Sequence, residues 1–124
     1  MKKYDIYGVG SALMDLIIET NPDLIDQLNL KKGQMHLIDN IQSKVILEKT
    51  KLIDMKEIPG GSAANTVVGV NSLGGSVVFC GKVGEDEPGN LYVKKMVEEG
   101  VSSNIKKDKQ STGHAITFIT PDTE

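Results

Sequence analysis

Short apolar runs broken by glycine pairs dominate this chain, and their spacing predicts an alternation of strands and helices. Tyr4 to Val9 reads as a strand that stops at Gly8 and Gly10. From Ala12 to about Glu19, Leu13, Met14, Leu16, Ile17 and Ile18 surround one acidic residue, Asp15, with no polar face at helical spacing, so extended chain is expected. Asn21-Pro22 starts a turn, 23–28 a short helix, and Gln34 to Ile38 alternates as a strand does. Ile41, Val45, Ile46, Leu52 and Ile53 place an amphipathic helix over about 41–54.

The second half is more regular. Pro59-Gly60-Gly61 reads as a loop, and Ser62 as the N-cap of a helix from Ala63 to Leu73 that Gly74-Gly75 closes. Ser76 to Val83 is a valine-rich strand of the buried type. Gly84-Glu85-Asp86 then turns into a helix over Glu87 to Glu99, with Pro88 in its first turn and Gly100 at its end. A polar loop follows, then a strand from His114 to Thr120 and a turn at Pro121-Asp122. Strand, helix, strand, helix, strand is the order of a parallel α/β layer with right-handed crossovers. The first half adds strands that do not alternate with long helices, which predicts a smaller accessory sheet. A parallel sheet needs both faces covered, and about three substantial helices do not suffice. The chain is therefore expected to be a fragment of something longer, or else to be completed by another copy.

Composition narrows the partners. A net charge of -3 argues against a nucleic-acid backbone, which needs a concentrated positive face. Lys106, Lys107 and Lys109 cluster, but Asp108 sits among them, and the run reads as a solvated loop. The single cysteine, Cys80, rules out an internal disulfide and fits a reducing compartment. Asp5 and Asp15 interrupt any export signal, and no stretch approaches the roughly 20 apolar residues a membrane span needs. A soluble, cytoplasmic protein with no membrane partner is expected.

Three features invite chemistry. Gly8 and Gly10 suggest a dinucleotide fingerprint, but its third glycine is replaced by Leu13 and extended chain follows where a helix is required. A strand bending at small residues is the better reading, and a nicotinamide-dependent oxidoreductase is the weaker one. Asp15 is a carboxylate in an apolar run, which costs free energy unless it is solvated or paired. It either faces solvent on an edge strand or accepts from ligand hydroxyls. Gly60, Gly61 and Ser62 open a helix, and paired glycines let backbone approach a ligand while the helix start leaves free N–H donors. Asn65, one turn in, both donates and accepts. Taken alone, the segment is better read as an ordinary tight turn with an N-cap. No Lys-Ser/Thr pair follows it, so it is not a Walker-type loop. His36 and His114 have no motif around them and read as structural.

Together, 59–66 (Pro-Gly-Gly-Ser-Ala-Ala-Asn-Thr), Leu73-Gly74 and 81–89 (Gly-Lys-Val-Gly-Glu-Asp-Glu-Pro-Gly) resemble the first signature of the ribokinase family, the PfkB carbohydrate kinases. Gly10-Ser11 with Asp15, Glu99-Gly100-Val101, Thr112-Gly113, 116–120 and Pro121-Asp122 resemble further family features in the right order. The resemblance implies an α/β, parallel-sheet Rossmann-like ribokinase fold carrying a small β-sheet lid. Residues 1–124 would be its amino-terminal, substrate-binding part, with lid strands within about 12–40 and 112–120. It further implies ATP- and Mg2+-dependent phosphorylation of a sugar or nucleoside hydroxyl. Asp15 and Asn65 would hold sugar hydroxyls, the backbone of Gly60 and Gly61 would lie against the ring, and Met35 and Leu37 would line an apolar pocket. Gly81, Gly84 and Asp86 look like turn and capping residues. Ser62 stands where typical ribokinases carry lysine; with the 30–35 segment, it brings the chain closer to the adenosine-kinase-like branch. The family's catalytic aspartate lies in a Gly-Ala-Gly-Asp-like loop of the carboxy-terminal half, which this chain lacks. Alone, then, the chain is expected to be inactive. The remaining alternative is a binding or assembly module whose lid strand edges form a homodimer.

Overall fold

The computed structural model describes residues 3–122. In chain order they form β1 (Ile6–Val9), β2 (Leu13–Glu19), α1 (Pro22–Gln27), α2 (Asn40–Thr50), β3 (Met55–Gly60), α3 (Ser62–Ser72), β4 (Val77–Gly84), α4 (Glu87–Glu98), β5 (Ser102–Asp108) and β6 (Gly113–Ile119). The chain divides into two compact units, Met1–Asp15 with Glu57–Ala115, and Leu16–Lys56 with Ile116–Glu124.

The first unit is built on a sheet ordered β1-β4-β5. Both ladders are parallel, with Ile6 opposite Val77 and Val78 opposite Ser102. The central strand carries the valines and is the most buried: Val77, Val78, Phe79 and Val83 all lie in the core. Two helices supply the apolar cover, α3 through Ala64 and Val67, and α4 through Tyr92 and Met96. The buried positions of α4, Gly89, Tyr92 and Met96, recur at the three- and four-residue spacing of a single helical stripe. This is the parallel α/β layer that the sequence predicts, but its third strand is β5; the expected strand at His114 to Thr120 is β6 and lies in the other sheet.

The second unit holds α1 and α2, with Leu16, Ile18, Ile25 and Ile46 buried. Asn21 caps α1 by accepting from Leu24 N–H at 3.2 Å. A reciprocal capping box between Asp39 and Gln42 starts α2. The Lys32 ammonium pairs with Asp122, and Thr20 N–H donates to Ile119 O at 2.9 Å. A second sheet, ordered β3-β2-β6, uses strands that each have residues in both units. Along β2, Met14, Leu16 and Ile18 are buried while Leu13, Asp15 and Ile17 between them are only partly covered, as the two-residue period of a strand requires.

Several expectations need correction. Gln34 to Ile38 is irregular, not a strand. The polar segment read as a loop before β6 contains β5, so Lys106 and Lys107 lie on a strand, held there by its seven-position pairing with β4. Pro59 and Gly60, read as the start of a loop, are instead the end of the strand Met55–Gly60. Gly61, not Ser62, occupies the N-cap of α3. No helix among the described residues is long and apolar enough to cross a membrane.

Candidate functional site

The site grows from the way β1 and the turn after it meet the head of α3. Gly8 and Gly10 lie against that helix: a methyl group on Gly10 would sit 2.7 Å from Ala63 Cβ, and one on Gly8 would overlap Val67 Cγ2. Only chain without side chains fits there. These glycines therefore serve packing, and the chain passes from them into β2 and not into a helix. That removes the geometry a dinucleotide site requires. Gly10 N–H donates to Cys80 O at 3.2 Å, which continues the β1–β4 ladder into the turn.

Asp15, in β2, is brought against Gly60 at the end of β3. A Cβ on Gly60 would lie 2.7 Å from Asp15 Cγ and closer still to one carboxylate oxygen, so the carboxylate rests directly on the glycine's backbone. Gly61 follows with φ +98°, a conformation that L side chains rarely adopt, and its α-carbon faces the Ser11 carbonyl. Its own carbonyl accepts Asn65 N–H at 2.9 Å, the first turn of α3. Thus the Gly60–Gly61 segment joins Asp15 to the helix turn that carries Asn65. The side chains of Ser62 and Asn65 are exposed, and no side chain caps the helix. The Ser62 carbonyl receives the Thr66 hydroxyl at 2.8 Å.

Underneath, α4 fastens this segment. The Tyr92 hydroxyl donates to Gly60 O at 2.9 Å, and Lys95 Nζ donates to Glu57 O at 2.6 Å. Tyr92 is fully buried, and its ring sits 6.3 Å from that of Phe79 with the planes tilted by 41°. Burial, and secondarily the negative charge of Asp15, push the Tyr92 phenol up to about 12. Its proton is therefore firmly held at any physiological pH.

The other predicted positions fall elsewhere. Asp86 caps α4 by accepting Gly89 N–H at 2.9 Å, and it also accepts the Thr112 amide at 2.8 Å and the Thr112 hydroxyl. Burial opposes its charge, but these donors outweigh it and hold the carboxyl below its ordinary value. Gly84 N–H in turn donates to Thr112 Oγ1 at 2.9 Å. Asp86 is thus a capping residue; of the glycines read as turn residues, Gly84 is the last residue of β4 and Gly81 lies inside that strand. His36 Nε2 makes only local contacts with the Lys31 backbone, and His114 Nδ1 lies 3.3 Å from Thr112 O. Met35 and Leu37 are 99% and 101% exposed in the irregular stretch of the second unit. Tyr92 was not among the sequence candidates. Its signal was a tyrosine, not a leucine or phenylalanine, on a buried helical stripe, because a buried phenol demands an acceptor.

Comparison with known proteins bears on the family and the fold. The sequence profile of the pfkB family carbohydrate kinases matches residues 23–124. Probable fructokinase-7 of Arabidopsis thaliana is 31% identical over 113 residues, which are 91% of this chain and 32% of that protein. A solved structure described as a probable sugar kinase protein from Rhizobium etli CFN 42 superposes with a TM-score of 0.82 at 29% identity, covering 98% of this chain and 37% of that one. The adenosine kinase from Sinorhizobium meliloti gives 0.80 at 29% identity, again covering 98% of this chain and 37% of its own. The chain thus spans little more than a third of these two solved proteins, and a third or less of the first curated relatives. With a matching profile over most of its length and a ribokinase-like α/β architecture, this chain belongs to the pfkB family of carbohydrate kinases.

Proposed function

We propose that this chain supplies the substrate-binding part of a kinase that phosphorylates a hydroxyl of a sugar or nucleoside, with ATP as donor. The observation that carries the reading is the Asp15 carboxylate set on Gly60, beside a helix head that no side chain caps. A carboxylate accepts from two neighbouring hydroxyls, while Asn65 and the first amides of α3 donate to ligand oxygens. That combination suits a polyol, and it is the part that fructose and a nucleoside ribose have in common. ATP, when bound, supplies the phosphoryl group. No three His, Cys, Asp or Glu side chains gather as metal ligands among the described residues, so no step is assigned to a metal held by this chain. Nor does the chain carry the glycine-rich loop with an aspartate that its resemblance assigns to proton removal. Its own contribution is to position the accepting hydroxyl.

The test is binding of D-fructose, D-ribose and adenosine, by calorimetry, to this chain and to the longest product of its gene. At least one compound should bind, and Asp15→Asn should weaken it about 100-fold, the order expected for losing charge-assisted hydrogen bonds to two hydroxyls. The melting temperature should stay within roughly 2 °C. Unchanged affinity in Asp15→Asn, or no binding to any of the three by either polypeptide, overturns the reading; a folded oligomer that binds none of them favours an assembly module instead. The longer product, and not the chain alone, should turn over ATP with the compound that binds.

A further inference from the structure

Among the groups the proposed binding role leaves unused, one is fully buried, polar and bonded to the backbone of the site itself. Tyr92 reaches from α4 to Gly60 O at 2.9 Å, and its ring is held in the core beside the equally buried Phe79. One turn further along α4, Lys95 holds Glu57 O at 2.6 Å, so the approach to the glycine segment is fixed at two carbonyls. The peptide between Gly60 and Gly61 is trans, as are all those described. In a trans peptide the C=O and the N–H point to opposite sides of one rigid plane. A donor that captures Gly60 O therefore also sets the direction of Gly61 N–H, turning it away from Tyr92. Without that anchor, two consecutive glycines leave the plane free to rotate.

We infer that Tyr92 is a positioning residue of the polyol site: by anchoring Gly60 O it aims the Gly61 amide and fixes that amide's spacing from the Asp15 carboxylate. The residue does not touch the ligand. It acts through the peptide plane, at a place where a simple core tyrosine would need only any acceptor. The inference rests on the binding role proposed above and names the device that keeps that site in shape.

The experiment compares wild type with Tyr92→Phe in the longest gene product, using D-fructose, D-ribose and adenosine as probes and calorimetry as the readout. Tyr92→Phe should weaken the bound probe about fivefold to tenfold, the scale of one lost hydrogen bond. Replacing Tyr92 with p-aminophenylalanine, which restores a donor at the same place, should return affinity to within about twofold. Deoxy analogues supply a readout that mere destabilisation does not move. One hydroxyl should matter in wild type and not in Tyr92→Phe, because its partner amide is no longer aimed; the hydroxyls that Asp15 holds should matter equally in both. If Tyr92→Phe does not fold, p-fluorophenylalanine, which fills the space without donating, takes its place. Wild-type binding with unchanged affinity in the variant, or additive losses for every deoxy analogue, overturns the role of Tyr92 and leaves the polyol site standing. Failure of wild type to bind any probe removes both.

Discussion

Helices α3 and α4 both begin just after a glycine-bearing turn at the end of a strand, yet their heads are finished in opposite ways. At α4, Asp86 answers the first-turn amide of Gly89 and also gathers the amide and hydroxyl of Thr112, whose oxygen accepts Gly84 N–H. The Asp86 carboxylate and the Thr112 hydroxyl there are spent on the protein itself. At α3 the cap is Gly61, which has no side chain to offer, and the nearby carboxylate, Asp15, rests on Gly60 backbone instead of turning to the helix. A self-satisfied head stabilises the fold; a head left without a cap costs stability and leaves donors for something else. The two turns look alike as sequence, and the choice of capping residue separates them.

Substitutions that exchange the two finishes sharpen this contrast. The largest effect is expected for Gly61→Ala, which puts a side chain at φ +98° and against the Ser11 carbonyl. Strain and overlap together should cost about 3 kcal/mol in urea denaturation and abolish measurable polyol binding. Asp86→Ala comes next: losing the cap and leaving the Thr112 amide and hydroxyl without their acceptor should cost about 2–3 kcal/mol, with affinity per folded molecule unchanged. A shift in affinity as large as that of Gly61→Ala would erase the distinction between the turns.

Alkaline unfolding follows. The Tyr92 phenol is raised to about 12 from an ordinary 10.0 by burial and by Asp15. The unfolded chain therefore gives up this proton first, and the contribution, about 2 kcal/mol, is complete below pH 10 and lost as pH rises towards 12. Tyr92→Phe should remove that part of the alkaline loss when stability is followed by denaturant titration at successive pH values. The smallest effect belongs to Ser62→Ala. Its side chain makes no capping bond, so stability should move by less than about 0.5 kcal/mol. A loss near 1 kcal/mol would mean that Ser62 caps α3 after all.

Much of the first unit was legible because its signals are local. The valines of β4, the apolar stripe of α4, Pro88 in its first turn and the terminating Gly100 each act within a few residues, and the elements appear within one or two positions of where they were expected. What failed depended on distant partners. Ser102–Asp108 is polar on both faces, and only its register against β4 makes it a strand. Met55–Gly60 carries Lys56, Glu57 and Pro59 and owes its extended form to the sheet with β2. Conversely, 34–38 alternates like a strand but has none to pair with, and its apolar members, Met35 and Leu37, stand in solvent. At the candidate site, Asp15, Gly60 and Gly61 could be picked out by residue type. That Asp15 rests on Gly60, and that Tyr92 lies beneath, are facts of tertiary approach that no spacing encodes.

Sheet margins are where separate molecules anneal, because a row of open backbone groups accepts any passing strand. In the order β3-β2-β6, β3 is such a margin, and it carries Pro59, which has no N–H to offer, together with the charged Lys56 and Glu57. A foreign strand laid along it meets a missing donor and side chains that resist burial. The proline just before the glycine pair thereby guards that flank against fibrous growth.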